Sequence, residues 1–367
     1  MRLMNPGPVT LTPRVKEAML RQDMCHRQQE YSQLQAEVIR RLSRVYPEAA
    51  EDYAAVLFTG SGTAAVEAMV SSLVPHSGKA LVVANGVYGE RMAAMLEKLS
   101  RPFEIIQGDW IEPISLADVE NCLKQDSEFT HVLTVHHETT TGRLNDMGEL
   151  GRLCLRYGVG LLLDSVSSFG AQDIKFRDWG LEGLASTANK CLHGVPGISF
   201  VLVRKDILQT DNSFSAGLYL DLFSNFKAQS NGFPQFTPAI QALYALHEAL
   251  IELEDGGGWP ARYAHYSYLS KILREELNNR GIRLLLESAN VYSPCLSSFI
   301  LPPDLDYNHL YSHMKKRNFI IYAGQNMFQS LIFRTAVMGA LTESDIRDFV
   351  RAFDEVTLSK SLSASQP

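Results

Sequence analysis

Through the middle of the chain, short apolar runs alternate with longer stretches of helical spacing. Residues 54–59, 80–84, 131–135, 161–164 and 198–203 are blocks dominated by Val, Leu, Ile and Ala. Blocks of that length suit strands buried on both faces and are too short for helices. Between them, 64–73 and 150–157 carry the three-to-four-residue apolar spacing of packed helices. Strand and helix alternating over 54–203 predict an α/β fold built on a mostly parallel, doubly wound sheet.

The flanks read differently. Residues 4–13 hold Pro6, Gly7, Pro8 and Pro13, which exclude regular structure and predict an extended arm laid across something. Thr12 and Pro13 are the residue types of a helix cap and first position. Residues 25–31 read as a polar loop and 33–45 as a second amphipathic helix. Residues 238–254 predict a long helix, broken at Asp255-Gly-Gly-Gly-Trp-Pro, and 261–280 another. Strands near 282–287, 295–300, 319–322 and 331–335, interleaved with helices, predict a smaller α+β domain. The expected division is a large domain over 14–255, a small one from 1–13 with 256–360, and a frayed tail at 361–367.

Composition narrows the class. At 367 residues, 46% hydrophobic and 20% charged, the chain can bury one large core or two unequal ones. A net charge of −7 without an extended basic tract argues against a nucleic-acid partner. No apolar run approaches membrane-spanning length, and residues 1–8 lack a signal-peptide core, so a cytoplasmic protein without a membrane partner is expected. The five cysteines are odd in number and form no CxxC pair, which suits reduced thiols and no metal.

Chemistry gathers in the loops that follow the apolar blocks. A run of small residues, 183–189, leads Lys190 into a turn closed by Gly194, Pro196 and Gly197. A lysine so held presents a directed amine, suited to capturing an aldehyde. Taken alone it is an ordinary surface lysine, but Asp164 ends a buried strand upstream. Ser61, Gly62 and Thr63 lie between a strand and a helix, where backbone N–H groups and the helix dipole receive an anion. The pattern is neither GxGxxG nor a Walker loop, so no nucleotide follows from it. Tyr88, on the loop after 80–84, adds a flat ring, and His136-His-Glu-Thr-Thr-Thr-Gly adds a polar strand end. Lysine, phosphate cup, carboxylate and ring are what pyridoxal phosphate requires.

The residues themselves carry a resemblance. Asn5-Pro-Gly-Pro-Val-Thr, Thr59-Gly-Ser-Gly-Thr-Ala, Asn85-Gly-Val-Tyr-Gly-Glu-Arg-Met, His137-Glu-Thr-Thr-Thr-Gly, Asp164-Ser-Val-Ser-Ser-Phe-Gly and Ser186-Thr-Ala-Asn-Lys-Cys resemble the class V aminotransferases of fold type I. Within that family the motifs are most similar to members that move the amino group of 2-aminoethylphosphonate to pyruvate. The resemblance implies that Lys190 carries the cofactor and Asp164 meets the pyridine nitrogen. By it, Ser61, Gly62 and Thr63 hold the phosphate, Tyr88 and Val166 flank the ring, and Thr139 sits near the ring hydroxyl. Arg334 matches the substrate-anion arginine. A threonine from a partner subunit completes the phosphate site, so a homodimer is expected; Thr237 aligns there only with a one-residue ambiguity. The apolar stretch 214–226 is the expected contact loop.

A dianionic phosphonate exceeds the charge of one guanidinium, so Arg27 and the arm at 5–10 are expected to add donors. Alanine–glyoxylate or serine–pyruvate transamination shares every cofactor residue and stays open. Desulfurase chemistry needs a mobile cysteine on the loop before the arginine, and residues 323–333 contain none.

Overall fold

The computed structural model describes residues 1–210 and 212–363. Its centre is a seven-stranded sheet in the order Tyr53–Gly60, Gly197–Arg204, Leu181–Thr187, Gly160–Asp164, Phe129–Val135, Lys79–Ala84 and Phe103–Gln107. Gly197–Arg204 runs antiparallel to both its neighbours, and the other pairs are parallel. Successive side chains point to opposite faces of a strand. Leu81, Val132, Leu161 and Leu163 therefore pack under helices Gln29–Arg44, Met147–Tyr157 and Ile240–Asp255. Val82, Leu133 and Leu162 pack under Gly62–Leu73 and Val87–Lys98. Both faces are covered, which is why these strands read as unbroken apolar blocks.

A second core joins Tyr266, Leu269, Phe299, Phe333, Phe349 and Phe353 with Met4 and Val9 of the arm. Its sheet is Leu296–Ile300, Ile332–Ala336 and Tyr322–Ala323, all antiparallel. The arm is extended as expected. Arg2–Leu3 pairs in parallel with Phe319–Ile320, and the Met4 carbonyl accepts from Ala336 N at 2.9 Å.

Several elements differ from expectation. The second helix starts at Gln29, inside the expected polar loop, because its first turn is solvent-facing apart from buried Tyr31. Residues 282–287 form no strand of the sheet; one isolated bridge, Leu284 with Phe299, remains. The 319–322 region divides between two sheets. The break at 255–260 is a tight kink, since helix Gly258–Asn278 follows Ile240–Asp255 with Gly257 at φ 91° between them. The 214–226 stretch is a loop only in part, because Asp221 caps a helix over Leu222–Ser230. Residues 361–363 lie in helix Glu343–Ser363, and 364–367 fall outside the described residues. Among the described residues no helix is long and apolar enough to cross a membrane.

Candidate active site

Six strands of the large sheet run in one direction, and their carboxyl ends deliver the polar residues to one edge, where open α/β sheets bind ligands. Ser61 caps the helix Gly62–Leu73 by backbone geometry alone, without a side-chain bond. The N–H groups of Gly62 and Thr63 at that helix start are placed for an anion. Tyr88 is not on a loop but in the first turn of Val87–Lys98. Arg91, one turn further along, lies over the Tyr88 ring at 4.6 Å and donates to Thr63 Oγ1 at 3.2 Å. Arg91 lies within the Asn85–Met92 motif, and its i,i+3 spacing from Tyr88 is the signal in the sequence for this contact.

Asp164 ends its strand buried, and its Oδ1 accepts from Val166 N at 2.9 Å. Burial pushes its carboxyl up to about 6, while the Val166 bond, Arg91 and Lys190 pull the other way. Thr63, Tyr88, Arg91, Asp164 and Val166 line one cavity.

Lys190 sits in the turn after Leu181–Thr187, and burial pulls its amine down to about 8. Its Nζ donates to the carbonyl of Pro6, so the arm lies directly across the lysine. The neighbouring Gly7 has φ +117°, and a Cβ there would fall 2.6 Å from Lys190 Cδ. Only glycine fits both demands.

Arg334, on strand Ile332–Ala336, brings the second core to this edge. It is buried, with Nε donating to the Ala323 carbonyl at 2.8 Å and Nη1 to the Thr139 carbonyl at 2.7 Å. Thr139 is thus tied to Arg334 through its backbone. Its neighbour Glu138 is fully buried as well, another residue left without a role by the sequence. His137 Nδ1–H donates to the Ser167 carbonyl, 3.0 Å away, and burial lowers the ring to about 4, so it is neutral.

Arg27 and Thr237 are not gathered into this cluster within one chain. Both are exposed. Arg27 lies in the turn before Gln29–Arg44 and makes no ion pair among the described residues. Thr237 lies beside Thr59, whose Oγ1 accepts from Ala239 N at 3.1 Å.

The donor set fits pyridoxal phosphate. An uncapped helix start and Arg91 match a phosphate, a buried carboxylate matches a ring nitrogen, and a buried amine matches an aldehyde. No cluster of three or more His, Cys, Asp or Glu poised for a metal occurs among the described residues.

Sheet order, strand-end lysine and carboxylate together define a fold type I pyridoxal-phosphate-dependent enzyme. The model of the family "Aminotransferase class-V" matches residues 17–351. A relative from Bacillus mycoides (strain KBAB4), a 2-aminoethylphosphonate–pyruvate transaminase, is 37% identical over 351 residues, 95% of each chain. The solved structure of a subgroup IV aspartate aminotransferase from Thermus thermophilus superposes with a TM-score of 0.88 at 26% identity, covering 97% of this chain and 99% of that one. An alanine–glyoxylate aminotransferase from Nostoc sp. superposes at 0.90 with 24% identity over 97% and 94%, a likeness of fold alone. The chain belongs to the class V aminotransferases, enzymes that work with pyridoxal 5'-phosphate.

Proposed function

We propose that this aminotransferase moves the amino group of 2-aminoethylphosphonate to pyruvate, giving phosphonoacetaldehyde and alanine. The observation that carries the choice of substrate is 37% identity, over 95% of both chains, to transaminases of that name. Pyridoxal phosphate, when bound, supplies the aldehyde for the amine and a conjugated ring that draws electrons from the substrate carbon.

The chain's own residues do the rest. Ser61, Gly62 and Thr63 hold the phosphate with backbone N–H groups, helped by Arg91. Tyr88 and Val166 flank the ring, and Thr139 stands by its hydroxyl. Asp164 holds a proton on the ring nitrogen, and burial strengthens that charge-assisted bond. Lys190 carries the cofactor at rest and, once displaced by substrate, takes a proton from the amine-bearing carbon. An amine lowered to about 8 has a useful free-base fraction near neutrality. Arg334 grips the substrate anion in the cleft between a large domain over 14–255 and a small one from 1–13 and 256–360. The arm and Arg27 add to the phosphonate site, and Thr237 serves the phosphate of a partner copy in a homodimer. A cytoplasmic setting is supported by free thiols at all five cysteines.

The test is a substrate panel read by the absorbance of the bound cofactor. Rapid conversion with 2-aminoethylphosphonate, and return of the starting spectrum with pyruvate, is the expected result. Preference for alanine or serine as donor, with glyoxylate as acceptor, would overturn the phosphonate reading.

A further inference from the structure

Helix Val87–Lys98 begins without a cap of its own, because its N-cap residue is Gly86. The loop after Phe129–Val135 fills that place. Glu138 Oε2 accepts from Tyr88 N at 3.2 Å, and its Oε1 accepts from Thr140 N at 3.0 Å and Thr140 Oγ1 at 2.6 Å. Thr140 Oγ1 in turn accepts from Val87 N at 3.1 Å. Every partner of this buried carboxylate is a donor, and it sits where a helix dipole favours negative charge. A Cβ on Gly86 would fall 2.3 Å from Glu138 Cδ, so the glycine makes the room. Between Glu138 and Thr140 lies Thr139, whose carbonyl holds Arg334.

We propose that Glu138 is a positioning residue for transamination. It locks the Tyr88 ring and the Thr139 carbonyl into one unit, which fixes the cofactor platform relative to the arginine that grips the substrate. Burial pushes the Glu138 carboxyl up to about 7, so the form that accepts all three donors prevails above neutrality. The inference rests on the roles proposed above for Tyr88 and Arg334.

Glu138→Gln preserves size but turns an NH2 group toward a backbone N–H. Expected are apoprotein affinity for pyridoxal phosphate weakened about tenfold, by fluorescence titration, and Michaelis constants for both substrates raised about tenfold, with a smaller fall in kcat. The circular dichroism of the bound cofactor should lose intensity, since its tilt is no longer fixed. Gly86→Ala tests the same carboxylate without touching it. Gly86 is extended, with φ 169°, so alanine suits the backbone and its Cβ acts only by displacing Glu138. It should reproduce the Gln phenotype, and the double variant should be no worse than either single one. If the variants unfold at lower temperature while cofactor affinity, dichroism and Michaelis constants stay at wild-type values in the folded range, Glu138 is structural only and the proposal fails. Tyr88→Ala and Arg334→Lys serve as references: if they too leave those readouts unchanged, the underlying roles fail, and the proposal with them.

Discussion

Asp164 shows how one environment can serve two ends. Burial alone makes a carboxyl resist ionisation, yet the Val166 N–H, Arg91 and Lys190 all favour its charged form. Asp164→Asn keeps the shape and loses the charge. It should bind cofactor and transaminate poorly, because losing a buried charge-assisted partner costs on the order of 2–5 kcal/mol, roughly tens- to thousands-fold in rate. Single-turnover kinetics at saturating substrate measure this, and an unchanged rate would remove Asp164 from the ring nitrogen. His136 poses a problem of stability. Its ring meets Trp179 edge-on at 5.3 Å, its Nδ1 has no partner among the described residues, and burial lowers it to about 3. The unfolded chain binds a proton there below about pH 6.5 that the folded chain refuses, so stability is lost as pH falls through that window. His136→Phe should therefore gain on wild type progressively between about pH 6.5 and 4 in urea denaturation. A stability difference independent of pH would show that the native state accepts the proton.

At the scale of elements, what could be read from the sequence depended on burial. Gly160–Asp164 is wholly buried, so it stands out as an apolar block, and Asp164 marks its end. The edge strand Phe103–Gln107 exposes Glu104, Ile105 and Gln107, so the sequence carries no such block there. Helix Val87–Lys98 was hidden because its start is completed by Glu138 and Thr140, far along the chain. The residues drawn from strand ends, Ser61, Thr139, Asp164 and Lys190, stand in the sequence beside apolar blocks, whereas Arg91 is signalled only by its i,i+3 spacing from Tyr88 and Glu138 reaches Tyr88 across a separation that no local pattern encodes. The same logic bears on substrate recognition, because Arg334 is held by elements of both cores. With Nε tied to the Ala323 carbonyl and Nη1 to the Thr139 carbonyl and Gln325 Oε1, Nη2 of the fork remains for the anion. Arg334→Lys should weaken use of both substrates, since a single ammonium cannot hold those carbonyls and an anion together. Arg27→Ala should raise the Michaelis constant for 2-aminoethylphosphonate far more than that for pyruvate. Equal effects of Arg27→Ala on the two would return Arg27 to the solvated surface that it occupies in the single chain.

For the whole molecule, the single chain leaves an apolar face beside the phosphate cup. Leu218 is 70% exposed and Tyr219 46%, although Tyr219 stacks on Phe236 at 5.1 Å and donates to the Thr59 carbonyl at 3.1 Å. Thr59 immediately precedes the Gly60-Ser61-Gly62 turn, so the exposed patch and the cup share one backbone segment. Exposed Thr237 borders the same recess. Large apolar side chains left in water beside a charged site are what a partner subunit would cover, and a stable interface buries roughly 1,600 Å² in total. The expected outcome is a dimer by sedimentation at micromolar concentration. Leu218→Asp with Tyr219→Asp should give a folded monomer, because two carboxylates cannot be desolvated against that face without partners. If the patch also positions the partner's share of the phosphate site, that monomer should lose cofactor affinity at the same concentrations at which it dissociates. A variant that remains dimeric would move the interface elsewhere, and a wild-type chain that is monomeric and fully active would show that one chain completes the site by itself.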